Sequence, residues 1–157
     1  MDKQNAQTKI VSLDHLESII EMAKNNGKKV VQSHGVFDVV HVGHIRYFKE
    51  AKKFGDILVV TLTPDNFVHK GPNRPVFNQH LRAEMLASVE AIDYVAINRW
   101  PTAVETIKLL KPNFYVKGPD YKDASKDISG GIALEEAAIR TVNGEIKFTS
   151  DVTFSSS

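Results

Sequence analysis

The chain has 157 residues, 42% of them hydrophobic and 25% charged, with 20 basic against 19 acidic side chains and no cysteine. That length suits one domain with an ample core, and a formal net charge of +1 provides no field favouring nucleic acid or a membrane surface. Disulfide and thiol chemistry are excluded, no apolar run reaches the roughly 18 residues of a membrane span, and the polar start at Met1–Lys9 is no signal peptide; the expectation is a soluble cytoplasmic domain.

Residues 1–11 read as a tail. Leu13, Leu16, Ile19, Ile20 and Ala23 recur at helical spacing, with Ser12 to cap the start and Asn25-Asn26-Gly27 to close the end. Lys29 to Gln32 opens the first strand, and a helix over His44 to Phe54 follows, with Ile45, Phe48, Ala51 and Phe54 on one face. Ile57 to Leu62 is a continuous apolar run, the pattern of a strand covered on both faces in a parallel sheet. Thr63-Pro64-Asp65 turns into a short helical piece, and residues 69–75, with two prolines and a glycine, form a loop. Asn78 caps a helix to about Val89 with Leu81, Met85, Leu86 and Val89 buried. Tyr94 to Ile97 is the third strand. Thr102 to Leu110 is a helix stopped before Pro112, Phe114 to Val116 the fourth strand, Ile132 to Val142 a helix and Glu145 to Phe148 the fifth strand. Residues 124–129 are polar and read as a mobile loop. Strands alternating with helices predict an α/β fold, a Rossmann-like, doubly wound parallel sheet of about five strands with helices on both faces. Ligands bind such sheets outside the carboxyl ends of the strands, where the segments 34–44, 117–121 and 153–157 should converge.

The segment from His34 to His44 is the most informative. It places His41 and His44 where a strand gives way to a helix N-terminus, whose amides and dipole suit a phosphate. Gly43 keeps bulk away from an approaching phosphate, and imidazoles can donate hydrogen bonds to it. Histidines three apart can also ligate zinc, with His34 and Asp38 as the only nearby additions, or serve as satisfied polar groups at a helix start. A dinucleotide-binding turn fits less well, because only Gly35 and Gly43 are present. Lys70, Arg74 and Arg82 can add positive charge, and Ser155-Ser156-Ser157 offers hydroxyls. No nucleophile paired with a base stands out. A phosphate acceptor would need none, being largely ionised at neutral pH with a second pKa near ~6.

Gly35-Val36-Phe37-Asp38 with His41-Val42-Gly43-His44 resembles the signature of the cytidylyltransferase-like nucleotidyltransferases, the superfamily with the His-x-Gly-His motif. Thr63-Pro64-Asp65, Arg74-Pro75, Arg82 and Ile92-Asp93-Tyr94-Val95 fall in that family's order. Val116-Lys117-Gly118-Pro119-Asp120-Tyr121 and the helix before the first strand resemble its heptose-phosphate adenylyltransferase branch, a domain of bifunctional ADP-heptose synthases. The resemblance implies transfer of a nucleoside monophosphate from a nucleoside triphosphate, ATP before CTP, to a sugar phosphate, with pyrophosphate released. The alternatives are a CTP-dependent polyol-phosphate cytidylyltransferase and a non-catalytic nucleotide-binding module. It further implies that His41 and His44 contact the triphosphate and stabilise the transition state at the α-phosphate, with Lys70 and Arg82 assisting with phosphate charge or active-site order. Gly35, Val36, Phe37, Gly43, Lys117, Gly118, Asp120 and Tyr121 would line the nucleotide, and Ser155, Ser156 and Ser157 the β- and γ-phosphates. Thr63 would lie near the acceptor, and Asp38 would lie near it or help shape the turn. Mg2+ would be held mainly by the triphosphate, with no side-chain metal ligand, and the protein would be a homodimer or one half of a fused enzyme. Three departures stand out: Thr153 where the family has glycine, Ser150 where glycerol-type enzymes have arginine, and an end at Ser157 where the family continues into a closing helix.

Overall fold

The computed structural model describes residues 6–68, 71–119 and 131–150. Their elements alternate: α1 (Leu13–Asn25), β1 (Val30–Gly35), α2 (Val42–Lys52), β2 (Ile57–Leu62), α3 (Gln79–Ala87), β3 (Tyr94–Ile97), α4 (Val104–Leu110), β4 (Phe114–Lys117), α5 (Gly131–Thr141) and β5 (Glu145–Phe148). Among the described residues the five strands form one parallel sheet in the order β3-β2-β1-β4-β5. Val31, Leu58, Val60, Leu62, Val95 and Val116 pack on α2 and α3, while Val30, Val59 and Ala96 meet α1 and α4. Tyr115 lies against α4 and α5. The sheet is therefore covered on both faces, which is why its central strands carry unbroken apolar runs.

Local chemistry sets the boundaries. Ser12 Oγ accepts from the His15 amide and Asn78 Oδ1 from the Leu81 amide, so both predicted caps form. Gly27, with φ 81°, turns the chain after α1 in the left-handed region that favours glycine.

Four expectations change. The described part of the supposed tail is structured: Ala6–Lys9 is a 3-10 turn, and Ile10 pairs with Val95, with the Val11 amide donating to the Val95 carbonyl. This shields the outer edge of β3. β1 runs on through Ser33, His34 and Gly35, whose backbone pairs with Val60, Thr61 and Leu62, while Tyr47 and Thr61 satisfy the Ser33 and His34 side chains. α3 is rotated from its predicted face: Leu81 is 45% exposed and Arg82 0% exposed, beside Ala83, Leu86 and Ala87. α2 starts at Val42 and leaves Ile45 exposed, while Phe48 and Ala51 turn inward as expected.

Candidate active site

The order β3-β2-β1-β4-β5 reverses direction between β1 and β4, and a crevice forms at such a point. β1 and β4 pair only at Val31–Phe114 and Gln32–Tyr115. β1 continues with β2 to Gly35–Leu62, and β4 with β5 to Lys117–Phe148. The two strands thus part before their carboxyl ends. α2 begins beside this opening.

His41 is the N-cap of α2. Its Nδ1 accepts from the Gly43 amide at 3.1 Å, and His44 Nδ1 accepts from the His41 amide at 3.2 Å. With Nδ1 an acceptor on both rings, the neutral imidazoles carry their protons on Nε2. Two N–H donors of the kind a phosphoryl oxygen takes therefore stand at a helix N-terminus, their ring centroids 4.0 Å apart. Phe37 supports them. It sits at φ 51°, its ring edge-on to His44 at 5.7 Å and packed on Phe48 at 5.2 Å. A side chain on Gly35 would meet that ring at 3.0 Å, so the first signature glycine makes room for Phe37. The Phe37 ring thus packs beneath the histidine.

Below the loop, the side chains expected at the acceptor are enclosed. Asp38 accepts from Arg74 Nη1 at 3.1 Å and from the Val76 and Phe77 amides at 2.9 and 3.1 Å. Burial pushes its carboxyl up, but the two amides and the Arg74 guanidinium outweigh that and hold it below its ordinary value. Its role in this structure is to anchor residues 74–77. Thr63 is 5% exposed and its hydroxyl donates to the Gly35 carbonyl. Arg82, expected to assist with phosphate charge or with active-site order, is fully enclosed. Its guanidinium donates to the Phe77, Val36 and Thr63 carbonyls and to Asp65 Oδ1, at 2.7 to 3.0 Å. It braces three loops from inside. Lys117 turns toward α5, its Nζ 3.7 Å from Glu135 Oε1, while Gly118 has open space where a side chain would stand.

Sequence reasoning missed a polar chain behind the signature. Gln32 Nε2 donates to Thr61 Oγ1, which lies 2.8 Å from His34 Nδ1, and His34 Nε2 faces Thr63 Oγ1 at 3.5 Å. Because Thr63 donates onward to Gly35, His34 Nδ1 is the acceptor and Nε2 bears the proton. Burial, with the charge of Lys117 nearby, pulls the His34 pKa down to about 3. The sign follows: between pH 6.5 and about 3 the unfolded chain takes up a proton the folded chain refuses. The stabilisation is complete above pH 6.5 and is lost as pH falls, at up to about 1.4 kcal/mol per pH unit. Denaturant unfolding at pH 7 and pH 5 should show a loss that shrinks by roughly 1–2 kcal/mol in His34→Asn; equal losses in both chains would show that His34 is not its source.

Lys70, Asp120, Tyr121, Ser155, Ser156 and Ser157 lie outside the described residues, as does the loop 124–129. Among the described residues no three His, Asp or Glu side chains gather to hold a metal ion, so the zinc alternative lacks a ligand set there. No helix among them is long and apolar enough to cross a membrane.

A parallel α/β sheet with paired imidazoles on a helix N-terminus at its switch point belongs to the doubly wound class, and the amides and dipole of such a helix start suit a phosphate. Comparison with known proteins narrows this. The cytidylyltransferase-like family model matches residues 33–157. The bifunctional protein HldE of Aliarcobacter butzleri is 41% identical over 148 residues, covering 92% of this chain and 31% of its own length. HldE of Geobacter metallireducens is 41% identical over 139 residues, 83% of this chain and 28% of its own. The chain spans about a third of the length of the curated relatives it matches. A lipopolysaccharide core biosynthesis protein of Thermoplasma volcanium superposes with a TM-score of 0.61 at 26% identity, over 77% of this chain and 93% of that one. A pantoate-β-alanine ligase of Francisella tularensis, 16% identical, shares the fold with a TM-score of 0.61 over 89% of this chain and 66% of that one. The chain belongs to the cytidylyltransferase-like family. By class it is a nucleotidyltransferase.

Proposed function

We propose that this chain transfers the nucleoside monophosphate of a triphosphate, ATP in first place, to a heptose 1-phosphate-like sugar phosphate and releases pyrophosphate. The observation that carries this reading is the pair of Nε2–H imidazoles, His41 and His44, on the N-terminus of α2 beside the β1–β4 opening. The relatives named HldE and the lipopolysaccharide core biosynthesis protein support the sugar side. The acceptor phosphate, already ionised, attacks the α-phosphorus in line with the departing pyrophosphate. The two imidazoles donate to oxygens whose charge grows during that step, which selectively lowers the barrier. Gly43 and the first amides of α2 add the helix dipole. Lys70 would bring further charge, Gly118, Asp120 and Tyr121 would border the base and ribose, and Ser155, Ser156 and Ser157 would hold the distal phosphates. Mg2+ would arrive on the triphosphate and neutralise part of its charge. The described carboxylates suit that arrangement, since Asp38 and Asp65 are already engaged by Arg74 and Arg82. The same reading assigns the chain to the cytoplasm.

The test is titration calorimetry with ATP and with CTP, each with Mg2+, followed by pyrophosphate release in the presence of a heptose 1-phosphate. Binding of ATP and turnover with the sugar phosphate are expected. Turnover with CTP and glycerol 3-phosphate alone would move the chain to the polyol branch. Nucleotide binding without turnover on either acceptor would mark a non-catalytic module.

A further inference from the structure

His41, His44, Tyr47 and Glu50 are successive members of one i, i+3 row on α2. The first two bear the imidazoles. The second two reach across to the ends of other strands. Tyr47 Oη donates to the Val116 carbonyl at 2.8 Å, and Ser33 Oγ lies 2.6 Å from the same hydroxyl. Since the Tyr47 proton is spent on Val116, Ser33 is the donor to Tyr47. This contact sits where β1 and β4 have ceased to pair, so a side chain of α2 takes up the Val116 carbonyl in place of a ladder amide. Val116 is followed by Lys117 and Gly118. Glu50 in turn accepts from the Ser150 amide through Oε2 at 2.6 Å and from Ser150 Oγ through Oε1 at 2.9 Å, just past the end of β5.

We infer that Tyr47 and Glu50 are positioning residues that set the spacing between the two histidines and the exits of β4 and β5. The inference rests on the nucleotidyl-transfer reading above, which gives the β4 exit to the base and ribose and the segment after β5 to the distal phosphates. A nucleoside triphosphate is a long ligand gripped at several points, and its affinity depends on those points being held in register before it arrives. One helix that carries the histidines and is hydrogen-bonded to both strand exits supplies that register. Neither side chain needs to touch the ligand. Tyr47 is half-buried against Phe48, its ring 5.1 Å away, so phenylalanine preserves its packing and removes the hydroxyl that links Val116 and Ser33; Ser33→Ala isolates the second of these contacts.

The experiment is calorimetric titration of the unsubstituted chain, Tyr47→Phe and Glu50→Ala with three probes: ATP, AMP and inorganic tripolyphosphate. CTP and CMP replace the adenine nucleotides if the chain prefers cytidine. Tyr47→Phe should weaken ATP and AMP by about 3- to 10-fold and leave tripolyphosphate unchanged, as expected for one lost hydrogen bond. Glu50→Ala should show the crossed pattern, weakening ATP and tripolyphosphate by about 10-fold and sparing AMP, since a charged acceptor of two bonds is lost. Ser33→Ala, which leaves the Tyr47–Val116 bond in place, should bind all three as the unsubstituted chain does. Thermal unfolding run alongside shows whether each variant is folded at the titration temperature. Equal losses for all three probes, or unchanged affinities in both variants while the unsubstituted chain binds ATP, would overturn the inference alone. Failure of the unsubstituted chain to bind either triphosphate would instead remove the nucleotidyl-transfer reading, and this inference with it.

Discussion

Replacing His41 and His44 together by alanine is expected to lower kcat by at least about a thousandfold, since one preorganised donor to a developing oxyanion is worth about a hundredfold to a thousandfold. The structure makes this test more demanding than a simple deletion. His41 caps α2 through Nδ1, and His44 receives the His41 amide, so each ring also holds the helix start together. His41→Ala therefore removes a cap worth about 1 kcal/mol as well as a donor. His41→Asn separates the two roles. Asparagine is a strong N-cap and should restore the unfolding midpoint, yet its amide is shorter than imidazole and does not place a donor where Nε2 stood. Steady-state pyrophosphate release and thermal unfolding on the same samples provide the readout. Stability recovered with turnover still lost is the expected result. Turnover recovered with stability would show that the histidines act only as caps, and that the chemistry lies elsewhere.

Much of the frame was legible because it depends on patterns local in sequence. The apolar run Ile57–Leu62 and the short strands Tyr94–Ile97 and Glu145–Phe148 have the predicted bounds. Caps at Ser12 and Asn78 announce themselves by residue type. His41 and His44 could be placed at a helix start because a strand pattern and a helix pattern meet there. What escaped was decided by partners distant in sequence. Arg82 looks like a solvated cation beside Leu81, and periodicity assigns the leucine to the core. The carbonyls of Val36 and Thr63 and the carboxylate of Asp65 reverse that choice by offering a guanidinium all its hydrogen bonds. Ser33 and His34 look too polar for a central strand, yet Tyr47 and Thr61 satisfy them. Asp38 shows the same thing at the site itself: its signature position left open a place near the acceptor or a part in shaping the turn, and its donors, Arg74 and two amides 36 to 39 residues on, give it the work of anchoring a loop.

Arg82→Met should cost about 3–5 kcal/mol of stability, because removing one partner of a buried charged network leaves the others desolvated and unpaired. For a domain of this size, 1 kcal/mol moves Tm by about 2–4 °C, so a fall of roughly 10 °C or more is expected. The four acceptors lie in three separate segments, after β1, after β2 and before α3. Only a planar fork of donors spans them, so Arg82→Lys should recover little: one compact ammonium cannot match that geometry. Asp65→Asn should cost far less, about 1 kcal/mol, as Asp65 is half-exposed and water can replace its partner. Because Arg82 joins the loop carrying the signature to the loop after β2, activity should fall in Arg82→Met even well below its Tm, through misplacement of Gly35 to Asp38. Turnover and unfolding should thus move together across the three variants. The opposite pattern, an unchanged Tm with a raised KM for the triphosphate, would mean that Arg82 leaves its enclosure to meet phosphate directly. That outcome requires four hydrogen bonds, each 2.7 to 3.0 Å long, to open on binding. The ligand would have to supply the energy for it, and a compact brace already matched to its acceptors makes the structural role the stronger expectation.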